Sequence, residues 1–345
     1  MALLLACRSE AVSATAVYAV TTGGALYRSA DGVATWQQVP LPGAPTGAST
    51  PRLAINPNGN IYLTLLIGSS AAVSKGPASG PPPMLELFRS ADGGQSWSQS
   101  NLPLDISLLA ADPTAPNIIY ANSSQGLVRS IDSGATFGSA TLGMATSGVG
   151  FDPQQPGAVY AAAFQQDRNV GLFKSTDHGG TWTSLGSLSG AGPGGRIGGG
   201  SSTLPLTQAR SAFDVAVDPH NSSVLYVPVS GTCAAGITNC GLIRSSDSGK
   251  TWEAVNVPGT FNNVVFDSRS GAIYAAGVNR TGQVAKSADG GKSWTSLATG
   301  LPAYAVVVRL DPNVSSTLYA APAEGGSSPG GVWVSTNSGA VWKLR

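Results

Sequence analysis

Few side chains in this 345-residue sequence are suited to acid–base or nucleophilic work, and their positions narrow the chemistry. The two histidines, His178 and His220, both fall in short turns between strand-like runs. A serine or cysteine nucleophile would therefore have no imidazole base on a long loop, which argues against nucleophilic acyl transfer. Cys233 and Cys240 have no second ligand pair nearby, so no metal is expected. The glycine run 194–200 lacks the strand-then-helix setting of a phosphate cradle, and no cofactor is called for. Carboxylates can be counted down. Of fourteen Asp, six (Asp31, Asp92, Asp132, Asp177, Asp247, Asp289) recur in one short phrase and five (Asp112, Asp152, Asp218, Asp267, Asp311) in a second turn. Of the remaining acids, Glu86, Asp105, Asp167, Asp214 and Glu324 fall on or near long loops, and Glu10 and Glu253 do not. Two carboxylates about 5–9.5 Å apart can cleave a glycosidic bond, and Asp167 with Asp214 is the best pair on offer. The alternative is that both acids cap loops or pair with Arg168 and Arg210.

These residues hang on a repeat. Its clearest copy, 175–182, reads S-T-D-H-G-G-T-W, and the pattern Ser-x-Asp-x-Gly-x-(Ser or Thr)-aromatic is also complete at 90–97, 130–137, 245–252 and 287–294. Two copies are imperfect: 29–36 has Val33 in place of Gly, and 335–342 has Asn337 for Asp and Val341 for Thr. The physics is that of a strand-to-strand turn. Asp accepts backbone N–H groups about two residues on, Gly supplies a positive φ, and the aromatic ring opens the next strand and packs between units. One turn type explains all seven copies, so these Asp residues are expected to be structural.

A second element precedes each phrase: an apolar run ending in Asp-Pro or a variant, a short gap, then an apolar-Tyr strand. Asp precedes Tyr by eight residues at 112/120, 152/160, 218/226 and 311/319. Such turns between Val-, Ile- and Phe-rich runs mark strands. Each repeat reads as four strands, as in 214–217, 224–229, 241–245 and 251–255. A four-stranded antiparallel unit repeated at 40–70 residues is a propeller blade. The expectation is all-β: one seven-bladed β-propeller spanning 1–345, with blades near 1–39, 53–102, 106–140, 147–186, 212–257, 262–298 and 304–345. No strand need be borrowed to close the ring.

The phrase resembles the Asp-box, or bacterial neuraminidase repeat, of sialidases, sortilin-type receptors, xyloglucan-active endoglucanases and a photosystem assembly factor. That resemblance implies the propeller but not one function, because these families do unrelated things on one scaffold. A sialidase would need three converging arginines with a Tyr and Glu pair. Arg52, Arg210 and Arg309 with Tyr304 match this only loosely, the family's Phe-Arg-Ile-Pro signature is absent, and sialidase propellers resemble six blades. The endoglucanases pair two propellers around a cleft, and here there is one.

Strand alternation puts the Asp-Pro turns and the phrases on one face, and second-to-third loops and blade crossings on the other. Every long segment falls on the latter: 40–52, 68–83, 164–170, 186–211, 230–241 and 322–330. Binding residues concentrate on loops held by a rigid scaffold, so this loop face is expected to be functional. The contacts expected there are Arg52, Gln165, Asp167, Arg168, Arg210, Asn262, Asn279, Arg280 and Tyr304, types that suit sugar hydroxyls or a polar protein partner. Nineteen basic against eighteen acidic residues, with no run of either sign, leave no basic patch for nucleic acid or an anionic membrane. No apolar run reaches the length of a membrane span, and a monomer is expected. Cys233 and Cys240 flank one loop. A disulfide there would imply a secreted or periplasmic location. Residues 1–7, M-A-L-L-L-A-C, lack the charge and length of a signal. They alternate like a first strand, in which Cys7 would be buried; the alternative is the end of a lipoprotein signal, with Cys7 as the lipid-anchor site.

Overall fold

The computed structural model describes residues 3–8, 16–21, 23–43, 49–55, 59–67, 84–103, 105–139, 141–164, 170–188, 206–233, 241–257, 259–277, 284–297, 299–301, 306–322 and 331–345. They form seven antiparallel sheets that follow one another along the chain, and the described residues contain no helix. The protein is a seven-bladed β-propeller. Blade four shows the plan: Thr146–Phe151, Val159–Phe164, Val170–Ser175 and Thr183–Ser187 pair in chain order from axis to rim. Five sheets keep four strands. Blade three has three, its fourth being reduced to a bridge between Leu127 and Leu142. Blade five has five.

That fifth strand corrects the sequence reading. The stretch 186–211 was expected to be loop, yet Leu206–Ala212 is a strand. It pairs with the upper part of Asn221–Cys233, which also runs past its expected end. The first strand of blade five is thus interrupted at 213–215 and resumes as Ala216–Asp218. Repeat-based reasoning missed this because only this blade has the extension, and its Ser- and Gly-rich approach carries no alternation.

The ring has no single core. Seven apolar clusters occupy the seven blade interfaces, each built from two adjacent sheets. The closing one joins Val17, Ala19 and Val33 to Tyr319, Ala321, Val332 and Val334. Each large side chain so buried stabilises by roughly 1.5–3 kcal/mol. The ring is closed by side-chain packing, and every sheet is built from one continuous stretch of chain. One second-strand tyrosine per blade (Tyr18, Tyr62, Tyr120, Tyr160, Tyr226, Tyr274, Tyr319) is at most 1% exposed. Some weld neighbours: Tyr18 donates to the Gly93 carbonyl at 2.8 Å, and Tyr226 to that of Gly290 at 3.0 Å, each in the next blade.

The phrase turns share one geometry. In 175–182, Ser175 Oγ donates to Asp177 Oδ1 (2.7 Å) and accepts the Gly179 N–H (2.8 Å). Asp177 Oδ1 accepts the Thr181 N–H (2.9 Å) and Oδ2 the Thr181 hydroxyl (2.9 Å). The Asp therefore reaches four residues on, not two, because the leading Ser holds the nearer amides. Two successive residues are left-handed, His178 (φ 55°) and Gly179 (φ 75°), and the same two positions are so in every copy. In the first copy the second is Val33, at φ 64°, a costly conformation for a β-branched residue. It is tolerated where the side chain is fully buried in the closing cluster. A Cβ on Gly179 would instead lie 2.8 Å from the Tyr120 ring.

Candidate functional site

Cross-blade bonds confirm which turns share a face. Asp112, in the inner turn of blade three, meets His178 Nδ1 of the fourth blade's phrase at 3.0 Å. Asp112 Oδ2 also accepts the Tyr120 hydroxyl at 3.0 Å, so His178 belongs to a structural network on the turn face. His220 stands beside Asp218 at 3.7 Å in the inner turn of blade five. On the opposite face, Asp105 accepts the Ser124 N–H (2.9 Å) and hydroxyl (2.7 Å). There too, Thr146 N donates to Asn122 Oδ1 at 3.0 Å.

The loop-face end of the channel is set by the first strands. Arg52, Asp214 and Asn263 each lie two residues before the one paired near or opposite their blade's tyrosine, so they share one tier in blades two, five and six. Asp214 sits at the interruption in blade five's first strand. Its Oδ1 accepts the Val215 N–H (2.9 Å) and its Oδ2 the Asn263 amide (3.3 Å). Asn263 Oδ1 in turn accepts the Val308 N–H of blade seven at 3.0 Å. Burial pushes the Asp214 carboxyl upward from its ordinary value, against the pull of the Arg309 charge and the Asn263 bond. The residue as a whole is half-buried, and its carboxyl is the enclosed end. Burial likewise lowers the Arg52 guanidinium. Asp214 borders a cleft of about 530 Å³ that descends between the first strands of blades four to seven, past Phe151, Val217, Phe266 and Leu310. Blades four and five all but touch there: a Cβ on Gly150 would lie 2.0 Å from the Val215 carbonyl.

Of the expected site residues, Arg52 (ligand contact) and Asp214 (candidate catalytic acid) thus stand on the tier, with the expected contact Asn262 next to it. The Asn262 Oδ1 is buried without a partner. Arg210 lies in the extra strand Leu206–Ala212, and its side chain is outside the described residues. Gln165, Asp167, Arg168, Asn279, Arg280 and Tyr304 also lie outside them. The distance between Asp167 and Asp214 therefore does not enter the geometry. The described loop-face acids are separate and engaged: Glu86 accepts the Gln99 amide at 2.7 Å, Asp105 caps Ser124, and Asp214 bonds Asn263. Cys233 ends the long second strand of blade five and is disulfide-bonded, while Cys240 is outside the described residues. No cluster of three metal-ligating side chains occurs among the described residues, and no helix there is long and apolar enough to cross a membrane.

Sequence reasoning missed Asn263, the tie between blades five, six and seven. It also missed Phe164 (37% exposed) and Phe213 (36% exposed), apolar side chains at the loop-face ends of blades four and five. Asn263 had one signal, a polar residue inside an otherwise apolar first strand.

Fold and site together define a class: a seven-bladed propeller with a polar tier at one end of its channel and short, rigid turns at the other. No protein-family model and no curated protein matches the chain. Among solved structures it is similar to YCF48 bound to D1 peptide, at 15% identity over 90% of this chain and 87% of that one, with a TM-score of 0.58. YCF48 from Cyanidioschyzon merolae is similar at 14% identity over 90% and 88%, with a TM-score of 0.51. The GH74 xyloglucanase from Xanthomonas campestris aligns at 15% identity with a TM-score of 0.37, all of this chain covering 62% of that one. At such identities the likeness is one of fold, and the last is too distant to carry an argument.

Proposed function

We propose that the protein is an extracytoplasmic binding or scaffold propeller that recognises a glycan or protein partner through its loop face. The observation that carries this reading is the state of Asp214. It is the described member of the best acid pair, and it is held by Val215 and by an asparagine that is itself fixed to a third blade. A carboxylate built into such a network orders three blades, whereas a catalytic acid must be free to face its substrate. Arg52, at the same level in blade two, and Asn262, next to Asn263 in blade six, offer planar hydrogen-bonding groups, and Phe164 and Phe213 offer apolar surface. A protein partner accords with the peptide complex formed by YCF48. The disulfide at Cys233 accords with a secreted or periplasmic location, and we assign its partner as Cys240. The turn phrases are read as Asp-boxes.

One observation favours a second reading, a glycoside hydrolase or lyase. The Asp214 carboxyl is raised by burial, as that of a general acid would be. A polysaccharide panel scored in parallel for binding and for new reducing ends separates the two. Binding without cleavage, weakened by Arg52→Ala, supports the scaffold. Cleavage abolished by Asp214→Asn would replace it with the hydrolase.

A further inference from the structure

A cation stands immediately before the turn phrase in six of its seven copies: Arg28, Arg89, Arg129, Lys174, Arg244 and Lys286. Each is paired with the second-strand tyrosine of its blade, so all six project from the same sheet face, the one whose tyrosines reach the next blade. Five have something to hold. Arg89 donates to the Ser133 carbonyl (3.2 Å), and Arg129 to those of Asp177 (3.1 Å) and His178 (2.7 Å). Lys174 and Lys286 lie over the rings of Tyr160 and Tyr274 at 5.1 and 5.4 Å. Arg244 holds the Glu253 carboxylate at 2.6 Å. The Nε atoms of Arg28, Arg89 and Arg244 are alike buried without a partner, so the terminal nitrogens make the difference. Those of Arg28 meet no described group.

Blade five shows what is missing in blade one. Glu253 lies directly across from Arg244 on the fourth strand, and the residue across from Arg28 is Gln37. The position that supplies a carboxylate in one blade supplies a neutral amide in the other. In front of Arg28 is an open groove of about 590 Å³ between blade one and the phrase of blade two, lined by Gln37, Gln38, Gly93 and Gln95. Gln37 and Gln38 are exposed, and Gln95 gives one N–H to the Asp92 carbonyl. The Asp92 carboxylate, also in the groove, is occupied by Ser90, Gln95 and Ser96 of its own turn.

We propose that this groove binds a carboxylate-bearing saccharide, a uronate unit of an oligosaccharide. Its carboxylate takes the place that Glu253 holds at Arg244, and its hydroxyls pair with the amides of Gln37 and Gln95. A guanidinium pairs bidentately with a carboxylate, and an amide offers a donor and an acceptor side by side to neighbouring hydroxyls. The lining is mostly polar, its apolar members being Val39, Pro40 and Ala91, and it includes no aromatic side chain. The site lies beside the phrase turns, away from the loop face, and stands independently of the function proposed above.

Calorimetric titration of the full chain at fixed ionic strength tests it, using trigalacturonate, maltotriose, triglutamate and sodium acetate. Trigalacturonate is expected to bind one to one, at least about tenfold more tightly than the other three. Arg28→Ala is expected to weaken it by about tenfold or more, and Arg28→Lys by less. Gln37→Glu supplies the missing carboxylate from within, and so should abolish binding with the melting temperature kept or raised. This variant also decides the matter if Arg28→Ala misfolds. The proposal is overturned by absence of trigalacturonate binding, by equal binding of triglutamate or acetate, or by affinity that survives both variants. Affinity that survives them and falls with Arg52→Ala would place the saccharide on the loop face instead.

Discussion

Replacing Asp177 by alanine removes three hydrogen bonds from one turn: the Thr181 N–H, the Thr181 hydroxyl and the Ser175 hydroxyl. Asp177 and Thr181 are exposed, so water replaces part of what is lost. At about 0.5–1.5 kcal/mol per net bond, discounted for that exposure, the cost should be about 1–3 kcal/mol. An unfolding entropy of about 2.1 cal/mol/K per residue makes each kcal/mol worth roughly 1.4 °C for a chain of this length. Asp177→Ala should therefore melt about 1.5–4 °C lower by calorimetry. The protein contains its own control. In the last copy Asn337 Oδ1 still accepts the Ser335 hydroxyl (2.8 Å) and the Val341 N–H (3.0 Å), and only the second oxygen's bond is gone. Asp177→Asn should accordingly cost less than half as much as Asp177→Ala. Equal losses for the two substitutions, or an unchanged melting temperature for Asp177→Ala, would refute the hydrogen-bond account of the turn. Loss of ligand binding by Asp177→Ala at unchanged stability would show that the functional face is the turn face.

Gly179→Ala combines a positive φ with a 2.8 Å approach to Tyr120, whereas a Cβ on Gly290, also at positive φ, meets nothing within 4 Å. Urea unfolding should show Gly179→Ala the more destabilising, by about 1–3 kcal/mol, and comparable midpoints would contradict the packing argument. Hydrogen bonding holds the Asp31 and Asp177 carboxyls down at about 2, and Asp92 and Asp289 are also lowered. Because these folded values lie below the unfolded ones, their stabilisation is complete above about pH 4–5 and lost as pH falls toward 2. The urea midpoint should drop across that window, and a flat profile would count against it. Asp214, raised by burial, has the opposite sign: its contribution is present at low pH and lost as pH rises through its folded value. Thiol titration of protein from its natural compartment, denatured without reductant, should find one free cysteine, Cys7. Three would exclude the disulfide in that compartment.

The recurring phrase and the Asp-to-Tyr spacing made the seven blades legible, because each copy encodes a local turn whose hydrogen bonds close within eight residues. The leading Ser as partner of the Asp was less legible, since Ser, Thr and Gly fill most turns alike. Val33 was visible only as an imperfection. The packing at the ring closure explains why a valine can stay where every other copy has glycine.

Local chemistry, then, settled the turns and the plan of four strands per repeat, since these depend on residues near one another in sequence. Only the tertiary structure decided which side chains from different blades meet. Asp214, Asn263 and Val308 join three first strands separated by about fifty residues each, at a level set by register. Arg89 and Arg129 meet carbonyls of the next blade, whereas Arg28 meets no described group. Spacing within one repeat carries no information about contacts across an interface, where the twist between sheets fixes which groups come within 3 Å.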